Sequence, residues 1–298
     1  MTARIIDGNA IAAAVRADVA SGVAAHIAAG GRRPHLSVVL VGDDPASHVY
    51  VRNKGRASED AGMTSDTILL PASASQEEVL GHVRRLNADP AVSGILVQMP
   101  LPAQVDAHAV MREIDPRKDV DGLTPANLGL LVQGTPFHAP ATPAGVVEIL
   151  RREGIQTQGA RVVIVGRSVL VGRPLALLLS NRGPHANATV TMAHTGTRDL
   201  AAVCREAEIL ISAAGAPGAI TAEMVRPGAV VIDVGTTRVA DPSKKSGHRL
   251  SGDVDFEAVK AVAGAITPVP GGVGPMTIAM LLVNVLRAAQ ALEGRPTA

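Results

Sequence analysis

A two-domain α/β fold is predicted, and three observations predict it. Short apolar runs alternate with longer amphipathic runs along most of the chain. Strands separated by helices pair in parallel through crossover connections. The alternation pauses over residues 116–143, which are rich in Pro, Gly and Asp, and then resumes. At about 100–200 residues per domain, 298 residues accommodate two.

Each element follows in order. Leu36–Val41, Thr67–Leu70 and Gly94–Val97 read as buried strands, with helices at residues 46–61 and 75–87 between them. Ser75 is placed to cap the second helix, with Glu78 three residues on. A helix is expected at 103–114, and the alternation pauses over the Pro-, Gly- and Asp-rich residues 116–143. The second series has strands at Arg161–Val165, Thr189–Ala193, Ile209–Ser212 and Val230–Val234. Residues 174–180, 198–206 and 221–225 fit the helices between them. Residues 240–249 read as an exposed loop and 278–291 as a long apolar-faced helix that returns to the first domain. The joint between domains is expected near residues 135–145.

Composition excludes several classes. Lys plus Arg is 28 and Asp plus Glu is 27, for a net charge of +1, against a strongly basic nucleic-acid binder. The aromatics are Tyr50, Phe137 and Phe256, too few for base-stacking platforms. At 47% hydrophobic, the chain has enough apolar surface to fold. The single cysteine, Cys204, forbids an internal disulfide and a multi-cysteine zinc site, so no metal is expected. The first residues do not read as a secretory signal, and runs such as Ile278–Leu286 are too short to span a bilayer. A cytoplasmic protein with neither nucleic acid nor membrane as partner is expected.

The chemistry-bearing segments come next. Strand 161–165 runs into Gly166-Arg167-Ser168-Val169-Leu170-Val171-Gly172-Arg173-Pro174. Glycine at a strand-to-helix turn lets the backbone approach a pyrophosphate, which the helix amides then bind. The spacing is not G-x-G-x-x-G, so a tight turn needing glycine for its own geometry is the other reading. The second strand ends in Ala193-His194-Thr195 with no carboxylate to hold a ribose diol. Arg167 and Thr195 suit an additional phosphate, which favours NADP over NAD, unless Arg167 is simply solvated. Tyr50 lies four residues before Lys54, one face of a helix, whether for chemistry or for surface packing. Burial lowers a lysine pKa toward neutrality, where it can carry protons. Tyr-x-x-x-Lys also occurs in short-chain dehydrogenases, but there it follows the dinucleotide turn, whereas here it precedes it. Gln98 ends a strand, Asp121 sits in the turn Lys118–Gly122, and residues 267–277 form a rigid Gly/Pro loop.

In this order the segments resemble the bifunctional methylenetetrahydrofolate dehydrogenase/methenyltetrahydrofolate cyclohydrolase family. The resemblance rests on DGNAIA at 7–12, VGDDPASHVYVRNK at 41–54, VQMPLP at 97–102 and KDVDG at 118–122. It continues through GRSVLVGRP at 166–174, VIDVGTTR at 231–238, GDVDF at 252–256 and TPVPGGVGPMT at 267–277. It implies an N-terminal α/β catalytic domain, residues 1–138, completed by the C-terminal helix at 277–298. Residues 139–276 would form a Rossmann-like NADP-binding domain, with the active-site cleft between the two. The implied activity is NADP-dependent oxidation of methylene-tetrahydrofolate, then hydrolysis to formyl-tetrahydrofolate, in one-carbon metabolism.

Residue by residue, the resemblance makes Lys54 the proton carrier and Gln98 its hydrogen-bonding partner. Tyr50 becomes the platform for the benzoyl ring and Asp121 the group that holds the pterin. Ser47, Pro268 and Gly272 would line or orient the folate site. Gly166, Arg167, Ser168, Thr195 and Thr236 would bind the cofactor. Partners implied are tetrahydrofolate derivatives and a second copy in a homodimer. Thr236-Thr237 departs from the family's Ile-Asn, Ala141 from a common cysteine and Leu123 from a frequent aromatic, and 183–187 look like an extension. Two alternatives remain: dehydrogenase activity alone, or a non-catalytic NADP-binding protein of the same fold.

Overall fold

The computed structural model describes residues 2–244 and 247–296, apart from the side chain of Ala46. The chain divides into two compact units. One comprises Met1–Ala12 and Thr142–Thr277, the other Ala13–Ala141 and Ile278–Ala298. Both are α/β with parallel sheets.

The second of these units is built on β2 (His35–Val41), with β3 (Thr64–Leu70) on one side and β4 (Gly94–Val97) on the other, all parallel. Strand β2 is apolar on nearly every residue because both faces are covered. Leu36, Val38 and Leu40 pack with Val19, Val51, Leu282 and Val285 on one face. Val39 and Val41 pack with Val79, Val83 and Val110 on the other. The helices are α2 (Pro45–Asp60), α3 (Gln76–Ala88), α4 (Ala107–Glu113) and α5 (Pro125–Val132). Asp44 caps α2 by accepting from the Ser47 N–H at 2.8 Å, with Pro45 in the first turn. Ser75 caps α3 as read from the sequence, accepting from Glu78 N–H.

The other unit carries six parallel strands in the order β1 (Arg4–Ile5), β11 (Ala265–Ile266), β8 (Val230–Asp233), β7 (Ile209–Ser212), β5 (Arg161–Val165), β6 (Thr189–Ala193). Strand order reverses at β5, whose neighbours are β6 and β7. Such a switch point leaves a crevice at the carboxyl ends of the strands, where nucleotides bind in open α/β sheets. Helix α7 (Gly172–Ser180) packs on β5 and β6. Helices α8 (Leu200–Arg205) and α9 (Phe256–Lys260) contribute Cys204 and Val259 to a core with Val163, Val165, Leu210 and Val231.

Several expectations are corrected. The sequence reading had no helix at α1 (Gly8–Ala28), where alanines and valines on most faces leave little polar contrast to read. Within the Pro-, Gly- and Asp-rich stretch 116–143, where no helix is read from the sequence, Thr124 and Pro125 start helix α5, and α6 (Ala141–Arg152) begins. The expected helix at 103–114 is shortened to α4 because Asp106 caps it late, accepting from His108 N–H. Of the expected loop at 240–249, Ala240 belongs to β9 (Thr237–Ala240) and His248 and Arg249 to β10 (His248–Ser251), which pair as an antiparallel hairpin, while residues 245 and 246 lie outside the described residues. Residues 221–225 form only a short 3-10 turn, Ala222–Met224. The tail helix starts earlier, as α10 (Val273–Leu292). Helices α1 and α10 are both long and apolar enough to cross a membrane by length and composition, contrary to the reading of shorter apolar runs. Their apolar residues include Val19, Val23, Leu281, Leu282 and Val285, which are buried in the core around β2.

Candidate active site

Lys54 sits on the third turn of α2, half-buried, and Gln98 follows the last residue of β4. The ammonium Nζ donates to Gln98 Oε1 at 3.0 Å. Gln98 Nε2 donates to the Met99 carbonyl at 2.8 Å, which fixes which end of the amide faces the lysine. Burial holds the Lys54 pKa below the ordinary lysine value, and the charge of Asp121 pulls it partly back. Asp121 is affected oppositely: burial raises its pKa and Lys54 lowers it. The structure therefore brings Lys54, Gln98 and Asp121 together from α2, the end of β4 and the segment that follows α4. Burial thus disfavours the charged form of both groups, lowering the pKa of Lys54 and raising that of Asp121.

The turn at 118–122 divides its labour by residue. Lys118 is buried and its Nζ donates to the carbonyls of Leu86, Asn87 and Asp89 at 2.9, 2.9 and 2.6 Å, closing the C-terminus of α3. Asp119 is buried and accepts from Thr124 N–H at 2.7 Å and Asn127 Nδ2 at 2.8 Å. Val120 is core. Gly122 takes φ +69°, and a Cβ there would stand 2.7 Å from the Ala139 carbonyl carbon. That leaves Asp121 as the chemically available member. Asn284 of α10 donates to the Val120 and Ala139 carbonyls at 2.9 and 3.0 Å, so it braces both sides of the Asp121 turn.

Tyr50 lies one turn before Lys54 on α2 and is 48% exposed, a free aromatic face. The Ser47 hydroxyl is buried and donates to Asp44 Oδ2 at 2.8 Å, so it serves the start of α2.

The switch-point unit holds the second set of residues. Gly166 takes φ +132°, and both glycines of the turn have a steric reason: a Cβ on Gly166 would strike the Ala213 carbonyl, and one on Gly172 the Gly166 carbonyl. The Ser168 hydroxyl accepts from Val171 N–H at 3.1 Å, ahead of α7. Arg167 and Thr195 are exposed beside this turn and after β6. His194 Nδ1 accepts from Gly196 N–H at 3.0 Å, which in the neutral ring places the proton on Nε2. Arg167 Nη1 stands 3.4 Å from that Nε2. Arg167 and His194 thus stand side by side at the edge of the Gly166 turn. Thr236 is exposed beyond β8. In the same unit Thr267 Oγ1 accepts from Asp233 N–H at 2.8 Å, which anchors the start of the loop carrying Pro268 and Gly272. The Gly272 carbonyl lies where a Cβ on Gly8 would go.

Sequence reading missed Asp233, Asp253 and the segment Ala213–Gly218, because a single chain gives no signal for which polar groups will be buried. Among the described residues, no group of three or more His, Cys, Asp or Glu side chains could hold a metal ion.

Two family models cover most of the chain. The catalytic domain of tetrahydrofolate dehydrogenase/cyclohydrolase matches residues 6–121 and its NAD(P)-binding domain matches residues 140–293. The chain belongs to the tetrahydrofolate dehydrogenase/cyclohydrolase family. Curated relatives include the bifunctional protein FolD of Acidiphilium cryptum, 58% identical over 98% of this chain and 99% of that one. The protein of the same name from Rhodopirellula baltica is 54% identical over 97% and 98%. Among solved structures, the methylenetetrahydrofolate dehydrogenase-cyclohydrolase of Trypanosoma brucei, complexed with NADP and inhibitor, has a TM-score of 0.92 at 42% identity, covering 98% of each chain. The family's two halves thus correspond to the two sets of residues: Lys54, Gln98 and Asp121 within or at the edge of the catalytic-domain match, and the Gly166 turn within the NAD(P)-binding match.

Proposed function

We propose that this protein oxidises methylene-tetrahydrofolate to methenyl-tetrahydrofolate with NADP and then hydrolyses the product to formyl-tetrahydrofolate. The observation that carries the hydrolytic half is the Lys54–Gln98 hydrogen bond beside Asp121. The dinucleotide turn with the exposed Arg167 beside it supports NADP, because a guanidinium suits the additional phosphate. The glycines at 166 and 172 let the turn pack against the Ala213 and Gly166 carbonyls, so they set its shape.

The NADP nicotinamide, when bound, accepts a hydride from the methylene carbon. The protein's own work lies in orientation and in proton traffic. Tyr50 offers a ring face for the benzoyl group, and Asp121 offers a carboxyl to the pterin. The methenyl bridge is already cationic, so water can add to it without a metal. Lys54, with its pKa lowered by burial, accepts the proton lost by that water. It returns a proton to the bridge nitrogen as the carbon–nitrogen bond breaks, and the hydroxyl of the adduct loses its proton to solvent, which leaves the formyl group on the other nitrogen. Gln98 Oε1 keeps Nζ aimed through both transfers. General acid–base help of this kind is worth about 10²–10⁴-fold.

A homodimer in the cytoplasm is the accompanying proposal, checked by light scattering and by fractionation of the source cells.

The experiment is a two-wavelength assay with methylene-tetrahydrofolate, one wavelength for reduced cofactor and one for methenyl-tetrahydrofolate. The parent is expected to reduce NADP with little methenyl build-up. Lys54→Met is expected to let methenyl accumulate and decay at the uncatalysed rate. Normal hydrolysis in that variant removes the lysine from the mechanism. A parent that reduces neither NADP nor NAD refutes the enzyme reading in favour of a binding protein.

A further inference from the structure

The segment Gly252-Asp253-Val254-Asp255-Phe256 has no part in the chemistry above, yet Asp253 is completely buried. Its Oδ2 accepts from Ala214 N–H at 2.7 Å, Gly215 N–H at 3.1 Å and the Ser212 hydroxyl at 3.2 Å. Its Oδ1 accepts from Ala216 N–H at 2.9 Å. Three successive backbone N–H groups of the loop after β7 therefore end on one carboxylate. Residues 214–216 are themselves exposed, so this carboxylate is what gives the loop a defined path.

Asp253 is itself held in place. Its N–H donates to Asp233 Oδ1 at 3.0 Å, and Asp233 also accepts from Gly235 N–H at 2.9 Å and Val254 N–H at 3.0 Å. A Cβ on Gly235 would run into the Asp253 carboxyl, and one on Gly252 into that of Asp233. The two acids and their glycines form a close-fitting network.

The loop matters because of what it touches. Ala213 N–H donates to the Val165 carbonyl at 2.8 Å, and the Ala213 carbonyl fills the space a side chain at Gly166 would need. Loop 213–216 and the Gly166 turn are thus the two walls of the β5/β7 switch point, where a dinucleotide binds.

We infer that Asp253 is a positioning residue for the cofactor: by holding the amides of Ala214, Gly215 and Ala216 it sets the loop against the Gly166 turn. This rests on the dinucleotide reading given under Proposed function. Asp253 acts through the loop, and its three N–H groups are consumed by the carboxylate, so the loop contributes shape.

The test is Asp253→Asn, which replaces one acceptor oxygen with an NH2 group facing N–H donors. The expected result is a rise in the KM for NADP of roughly tenfold, equivalent to losing about 1.4 kcal/mol of cofactor binding. Hydrolysis of methenyl-tetrahydrofolate supplied directly uses no cofactor and is expected to stay within about twofold, well under the roughly 1.4 kcal/mol that a tenfold change represents. An unchanged KM for NADP overturns the inference. So does a parallel fall in both activities, which marks a merely structural role. Should the variant fail to fold, amide hydrogen exchange on the parent decides. The 214–216 amides are expected to be protected despite their exposure, and exchange at the rate of an unstructured peptide refutes the geometry. A parent that reduces no cofactor defeats the function reading, while the exchange measurement still judges the Asp253 contacts.

Discussion

Lys118 and Lys54 look alike in the sequence, each in a motif of the family, and the structure gives them opposite jobs. Replacing Lys118 by Met keeps the buried stem and removes the three N–H donors to Leu86, Asn87 and Asp89. Net contributions of about 1–1.5 kcal/mol per bond give about 3–4.5 kcal/mol in all. Relief from burying an ammonium, which lowers the Lys118 pKa, takes some of that back, so about 3 kcal/mol is expected. At about 2–4 °C per kcal/mol for a unit of this size, the melting temperature should fall by about 6–12 °C. The assay is thermal melting by circular dichroism, with both activities measured per folded molecule at low temperature. Lys118→Met should melt early and keep its hydrolase rate when folded, whereas Lys54→Met should melt near the parent and lose hydrolysis. A Lys118→Met protein that melts within about 2 °C of the parent but has lost hydrolysis refutes the assignment, since the structural role alone predicts several degrees.

Two further outcomes follow from the same geometry. Arg167→Ala should raise the KM for NADP by about 10–100-fold, as expected from about 1.5–3 kcal/mol for hydrogen bonds to a charged group, while leaving the KM for NAD little changed. Steady-state kinetics with both cofactors check this, and equal effects on the two place Arg167 away from the additional phosphate. Asp121→Asn should move the acid limb of the hydrolase pH profile to lower pH. The sign follows from Lys54: the Asp121 charge raises its pKa, so removing that charge lowers it, and the neutral amine then persists to more acidic conditions. A limb that moves toward higher pH, in a rate profile taken at saturating substrate, contradicts the pairing.

The strands were the most legible part of the fold. Gly94–Val97, Arg161–Val165, Thr189–Ala193 and Ile209–Ser212 have the bounds read from the apolar runs. Gly94–Val97, Arg161–Val165 and Ile209–Ser212 are nearly all buried and announce themselves by Val, Ile and Leu, whereas Thr189–Ala193 is a more exposed edge strand. Helix α1 was illegible for the opposite reason, since Ala-rich sequence carries little contrast between faces. Helix α5 was hidden by the Pro and Gly around it, although Thr124 and Pro125 together form an ordinary helix start. The hairpin β9–β10 was hidden because its strands lie outside the two parallel sheets and are mostly polar.

For the site, the sequence supplied the chemical groups and their order. Tyr50 and Lys54 share a helix face because of a four-residue spacing, and the glycines of the 166–172 turn mark where strand becomes helix. Those are local properties, and local rules reach them. Tertiary structure decided which groups meet. Only the fold brings Gln98 within 3.0 Å of Lys54 across 44 residues, and only burial turns an ordinary lysine and an ordinary aspartate into a pair with opposed pKa shifts. Only the fold separates Lys118, spent on three carbonyls, from Lys54, and sets Asp253 beneath a loop nearly 40 residues earlier in the chain. Spacing along a chain fixes neighbours within a turn or a strand. Desolvation and hydrogen-bond partnership depend on what the rest of the chain places alongside, and that is settled when the sheets and helices pack.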